Sequence, residues 1–245
     1  MHHRLPCWLA ALMAWLLMAG PVAAADLSLM PVAVQLDRSN DRSTVRVTNN
    51  GSAPVVLQAD AIRWQREAGV DRDEASDDLI VSPGVFTIGP GRTQVVRVGL
   101  RRTAASDREQ TYRLVLREVP SQAPEPSMVQ GNVRVLVTLR LPVYVAPDAV
   151  RQEQRWHARY DEQGRLVAQV TNHGNVHYRV AGVRVQGDAR QAFHVMQGPE
   201  SVVFPGEVRR FALAALAQAD TARPVTLEVM TDAGLHHVAL LPPSP

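Results

Sequence analysis

The sequence predicts an all-β protein built from two immunoglobulin-like β-sandwich domains in tandem. Three observations predict it: short runs of period-two alternation, turns of Gly, Pro and Asn between them, and a turn-and-strand motif that occurs twice, about one domain length apart. No segment carries the 3.6-residue periodicity of a convincing amphipathic helix.

The first element is not part of the fold. His2, His3 and Arg4 precede a run from Leu5 to Met18 that is apolar except for Pro6. Gly20-Pro21 breaks the run, and Ala23-Ala24-Ala25 offers a small-residue cleavage site before Asp26. Residues 1–25 therefore read as a cleavable secretory signal peptide. The run is short for a bilayer core, which takes about 20 apolar residues; the alternative is an uncleaved anchor. No later stretch is long and apolar enough for a transmembrane helix. The only cysteine, Cys7, lies inside the signal. The exported chain must fold without a disulfide, although its compartment would allow one. Cysteine chemistry and blue-copper sites are excluded on the same count.

The chain has 26 basic and 24 acidic residues, a formal net charge of +2, and every basic side chain is arginine. Such scattered, nearly balanced charge excludes a nucleic-acid binder, which needs a basic patch. Arginine does suit bidentate capture of a carboxylate.

Thr44-Val45-Arg46-Val47-Thr48 alternates, Asn49-Asn50-Gly51-Ser52 turns, and Pro54 to Ala59 follows as the next strand. Glu67 to Asp78 is polar and reads as a solvated loop with surface acids. Thr93 to Leu100 and Tyr112 to Leu116 are further strands. Asn132 to Leu141 alternates furthest, with apolar residues at 133, 135, 137, 139 and 141. Pro120, Pro124 and Pro126 precede it, and Pro142 and Pro147 follow. A strand with one continuous aliphatic face either lines its own core or is lent to another protein, and the residues alone leave both open. The repeat then sets the domains. Val47-Thr48-Asn49-Asn50-Gly51-Ser52 recurs as Val170-Thr171-Asn172-His173-Gly174-Asn175, and Ile88-Gly89-Pro90-Gly91-Arg92 is echoed by Val203-Phe204-Pro205-Gly206-Glu207. The expected domains are residues 26–148 and 149–245, joined at Pro147-Asp148-Ala149-Val150.

Several of these segments stand in a telling order: Leu79-Ile80-Val81-Ser82-Pro83, Ile88-Gly89-Pro90-Gly91, Gln94-Val95-Val96-Arg97, Asp107-Arg108-Glu109, Tyr112 to Pro120, and Leu139 to Pro147. In that order and spacing the chain resembles the periplasmic chaperones of the chaperone–usher pathway, which assemble pili and fimbriae, as a divergent branch. The resemblance implies a boomerang-like pair of sandwiches with a cleft between them, a periplasmic location, and pilus subunits and an outer-membrane usher as partners. A pilus subunit is an immunoglobulin-like domain missing its last strand, and the chaperone supplies its own strand to the gap. Val133, Val135, Val137 and Leu139 would be the donated residues, with Leu141 a fifth. Burying each is worth roughly 1.5–3 kcal/mol before ordering costs.

The resemblance also implies that two basic residues clamp the subunit's C-terminal carboxylate in the cleft. One belongs on the first strand, where Ala33 stands instead, a departure from the family pattern. Arg140 is the base at the end of the donor strand, and Arg113 on the neighbouring strand would supply the missing charge. Arg97 and Glu109 match positions of an inter-domain salt-bridge network, which Asp232 would complete. An apolar edge on the free protein invites capping by a second copy.

Six histidines follow the signal, among them His173 and His177 flanking a turn and the adjacent His236 and His237, but no carboxylate cluster stands at ligand spacing around them. G-x-S-x-G, H-E-x-x-H and phosphate-cradling loops are absent, and Gly89-Pro90-Gly91 is a hairpin turn. Neither an enzyme nor a bound cofactor or metal is expected. The competing class is a two-domain surface or adhesive sandwich, or a metal-handling periplasmic one. A fibre subunit would carry a single domain and its own N-terminal donor extension. Here the first strand starts within a few residues of Asp26, which favours the chaperone.

Overall fold

The computed structural model describes residues 26–67, 69–102, 105–120, 135–162, 166–186, 194–195, 201–212 and 226–239. The signal peptide expected at 1–25 and the donor residue Val133 lie outside them. The described elements are all strands. The first half contains β1 (Leu27–Met30), β2 (Val34–Leu36), β3 (Arg42–Asn49), β4 (Val55–Glu67), β5 (Val70–Ala75), β6 (Leu79–Ser82), β7 (Val85–Ile88), β8 (Thr93–Leu100), β9 (Gln110–Glu118) and β10 (Thr138–Val145). The second contains β11 (Gln154–Tyr160), β12 (Leu166–Asn172), β13 (Tyr178–Val185), β14 (His194–Val195), β15 (Val202–Val203), β16 (Val208–Ala212), β17 (Thr226–Thr231) and β18 (Gly234–Ala239).

In the first sandwich a β1-β3-β8-β6 sheet faces a β2-β10-β9-β4-β5 sheet, with β7 also on β4. Alternation does the sorting: Val45 and Val47 of β3, Val96 and Val98 of β8, and Leu114 and Leu116 of β9 are all fully buried in one cluster. In the second, a β11-β12-β16 sheet faces a β14-β13-β17-β18 sheet over Leu166, Val170, Val180, Leu227 and Val229. Between the two cores lies a small third cluster of Trp64, Tyr144, Val202 and Phe204, with Ala33 against it.

The repeat has a structural basis. Asn49 is fully buried, donates from Nδ2 to Ala53 O (2.8 Å) and Ile88 O (3.0 Å), and accepts from Gly51 N (2.9 Å). Asn172 does the same with Val176 O (2.8 Å), Val203 O (3.2 Å) and Gly174 N (2.9 Å). Each asparagine thus ties the end of a strand to its following turn and to a distant strand. Gly174 is required by close approach: a Cβ there would sit 2.4 Å from Arg151 O of the linker. Asn172→Ala should take the Nδ2 donor from the Val176 and Val203 carbonyls, while Gly174 N–H keeps Glu153 O (3.1 Å), and cost about 2 kcal/mol in urea unfolding. A loss under about 1 kcal/mol would mean that water replaces these bonds.

The segment expected as a solvated loop is ordered. β5 pairs with β4 from Ile62↔Ala75 to Glu67↔Val70. Its residues are nearly all exposed, so no apolar alternation announced it.

Candidate functional site

The long alternation divides at its middle. Leu139, Leu141 and Val143 stand opposite Leu116, Leu114 and Tyr112 on β9. Leu141 is 3% exposed within the first core, which corrects its expected place among the donated residues: its side chain already fills its own sandwich. Leu139 is partly buried at the margin of that core. Upstream, Val137 still exchanges backbone contact with Glu118, whose N–H donates to Val137 O (2.9 Å). Val135 and Leu136 are 63% and 43% exposed. On its other side β10 pairs with β2 only over Val143–Val145. Among the described residues, Thr138–Pro142 therefore forms a sheet edge, beside an aliphatic face that runs out of core.

The cleft-side face of the same sheet carries the candidate bases. Ala33, where a base was expected, packs into the apolar Trp64–Phe204 floor. Arg113 lies one strand in from β10, 7% exposed, with its guanidinium 4.2 Å over the Trp64 ring. It is not open to a ligand as expected: Nη2 donates to Asp71 (2.5 Å) and Nη1 to Asp73 (2.6 Å), both on β5. Arg140 donates to the other Asp73 oxygen (2.6 Å), and half of its side chain remains exposed. Arg66, its side chain 3% exposed, holds Asp71 (2.7 Å) on one side and Val202 O (2.8 Å) and Glu207 (3.2 Å) of the second sandwich on the other. Burial opposes ionisation of Asp71, but hydrogen bonds from Arg66 and Arg113 outweigh it and hold the carboxyl below its usual range.

The inter-domain network differs in membership from the one expected. Arg97 sits on β8 between Thr44 and Ser82, exposed on the other sheet, and so does not join Glu109. Glu109, at the mouth of β9, instead accepts from His177 N (2.8 Å) and approaches its Nδ1 (2.8 Å). The His177 ring stacks on Tyr144 at 3.6 Å and 12°. Burial pushes the Tyr144 hydroxyl up to about 12, opposed by the Arg179 charge and reinforced by Glu109 and Asp232. Asp232 thus borders the network through the field it places on Tyr144 and Tyr178, while its backbone N–H donates to Arg179 O (3.1 Å). Beside these contacts opens an inter-domain cleft of about 1440 Å³, lined among others by Arg66, Arg108, Glu109, Phe204 and Glu207. Arg108 crosses it to donate to Pro205 O.

Sequence reasoning missed Arg66, Asp71, Asp73, His177 and Tyr144. The spacing of Asp71 and Asp73, two apart and so on one face of a strand, was the available signal. Chemically, the arrangement is a pair of guanidinium groups, Arg113 and Arg140, bridged by the Asp73 carboxylate beside a bare strand edge.

A family model described as "Pili and flagellar-assembly chaperone, PapD N-terminal domain" matches residues 26–151. The chain is 28% identical over 134 residues to the chaperone protein FimB/FhaD of Bordetella pertussis. That match covers 52% of this chain and 53% of the relative, so it spans about half of the relative's length. The fold is similar to the chaperone–tip adhesion subunit pre-assembly complex CsuC–CsuE from archaic chaperone-usher Csu pili of Acinetobacter baumannii. There the TM-score is 0.60 and the identity 17%, over 88% of this chain and 98% of that one. It is similar also to the Salmonella enterica SafA pilin in complex with the SafB chaperone, with a TM-score of 0.60 and 17% identity over 90% and 98% of the two chains.

Proposed function

Because the chain belongs to the family of pili and flagellar-assembly chaperones, matched over residues 26–151, we propose that it binds pilus or fimbrial subunits by donor-strand complementation and delivers them to an outer-membrane usher. On this proposal Val133, Val135, Val137 and Leu139 are the donated residues, and Arg140, with Arg113 behind it, receives the subunit's C-terminal carboxylate. Residues 1–25 export the chain to the periplasm. Residues 26–148 form the subunit-binding domain and 149–245 the second one. Glu109 and Asp232 keep their proposed place at the domain junction, with His177 in place of Arg97. The chain acts without a cofactor and by binding, not by catalysis. When no subunit is bound, a second copy caps the apolar edge.

One observation carries this most directly. Leu141 is 3% exposed and Val143 fully buried, while Val135, in the same alternation just before β10, is 63% exposed, and β10 ahead of Val143 is an open edge. A segment that fills one core with its strand and leaves the apolar residues leading into that strand bare suits insertion into a second sandwich.

The test is co-expression of the chain in a bacterial periplasm with the subunits encoded beside its gene, followed by pull-down. A subunit otherwise degraded should be recovered as a soluble one-to-one complex. Arg140→Ala should lower that yield while the free protein keeps its melting temperature, since exposed pairs such as Arg140–Asp73 contribute only about 0–1 kcal/mol. Neighbouring subunits that are stable alone, with none co-purifying, would reject the proposal.

A further inference from the structure

Resting on that assignment of the cleft, we propose that Asp73 is a placeholder for the subunit's C-terminal carboxylate: it occupies the arginine pair in the free protein and is displaced when a subunit docks. Asp73 does what the incoming group would do. One oxygen accepts from Arg113 (2.6 Å) and the other from Arg140 (2.6 Å), so a single carboxylate bridges the two bases. Asp71 is placed differently. Its partners are Arg113 (2.5 Å) and Arg66 (2.7 Å), and Arg66 is buried and bonded to Val202 O and Glu207 of the second sandwich. Asp71 is locked on the inner side, whereas Asp73 shares the outer side with the half-exposed Arg140.

The physical need for a placeholder follows from burial. The Arg113 side chain is 9% exposed, and a guanidinium so placed without an acid would be costly. Asp71 answers one of its nitrogens, and in the free protein Asp73 answers the other as well as Arg140. Binding then exchanges Asp73 for the incoming carboxylate, so the second nitrogen keeps an acceptor while Asp71 stays in place. The displaced Asp73 needs only a side-chain rotation, because β5 is an exposed edge strand with no apolar residue in the core. Competition with a tethered carboxylate also screens out small free acids, which bring no strand to offset the exchange. Only a carboxylate that ends an extended apolar segment wins.

The probe is a short labelled peptide alternating valine with serine, made once as the C-terminal acid and once as the amide, and titrated into the purified full chain by fluorescence anisotropy. Asp73→Asn keeps an oxygen for Arg113 but removes the competing charge. It should bind the acid peptide roughly tenfold more tightly than wild type, about one charge-assisted hydrogen bond regained, with the amide unchanged. Asp73→Ser should give the same gain, which guards against a folding defect particular to one variant. If wild type prefers acid to amide and both variants bind the acid no better, Asp73 positions the arginines and the placeholder is refuted while the anchor stands. If no protein distinguishes acid from amide, the anchor assignment fails and the placeholder with it.

Discussion

Arg113→Ala should lower the stability of the free protein by about 3 kcal/mol, the scale of breaking a buried ion pair by removing one partner. Arg140→Ala, on the next strand, should leave it within the small range of exposed pairs. The two arginines share Asp73 and differ in depth: their side chains are 9% and 51% exposed. Losing Arg113 removes two charge-assisted bonds, a guanidinium stacked 4.2 Å over Trp64, and the stem that packs beneath it. Asp71 and Asp73 keep Arg66 and Arg140 respectively, so the loss stops short of two bare charges. The sign with pH is fixed by Asp71. Its folded pKa is depressed, so the stability it contributes is fully present above its unfolded value of about 3.9 and lost as pH falls through the folded one. The gap between wild type and Arg113→Ala should therefore be widest above about pH 4 and narrow below it. Thermal melts between neutral and acid pH measure this. A gap constant with pH would assign the loss to packing, and an equal loss in Arg140→Ala would erase the distinction between the two sites. The consequence for function is practical: a fall in subunit yield with Arg113→Ala reports instability first, so only Arg140→Ala tests the clamp cleanly.

The strands that were legible in the sequence are those held by apolar burial. Val45 and Val47, Val96 and Val98, and Leu114 and Leu116 alternate, and each pair is buried. The doubled asparagine turn was legible because Asn49 and Asn172 make the same three bonds in the two halves. What stayed hidden is held by charge. β5 carries Asp71, Asp73 and Glu74 and buries almost nothing, so hydrophobic patterning sees a loop where ion pairs make a strand. The absent base at Ala33 was legible, but its structural answer was not: an aromatic floor of Trp64, Tyr144 and Phe204 occupies the place, drawn from three distant segments. Arg97 misled for a topological reason. Its local motif fits, yet β8 belongs to the sheet away from Glu109. Likewise, period two assigned Leu141 to the right face, but a face continuous in sequence does not say where one core ends and another begins.

That division predicts two opposite mutants along one apolar alternation. Val135→Glu should leave the melting temperature of the free protein almost unchanged, because Val135 is 63% exposed and surface substitutions of this kind usually fall within about 0.5 kcal/mol. In the complex the same change removes about 1.5–3 kcal/mol of apolar burial and forces a carboxylate into an apolar groove. Affinity for a subunit should fall by a hundredfold or more, about 3 kcal/mol. Leu141→Ala should do the reverse at first order: a buried leucine truncated in a packed core costs about 2–5 kcal/mol, and the free protein melts early. Residual folded Leu141→Ala should still bind a subunit, since its side chain lies beside Leu114 in the chain's own core. Leu139, at the core margin, should show part of each effect. Melting curves of the free proteins and pull-down yields with a co-expressed subunit measure both axes. A large early melt for Val135→Glu would place Val135 in the chain's own core and end the donor-strand assignment. Binding by Val135→Glu at wild-type yield would show that the groove is filled from elsewhere.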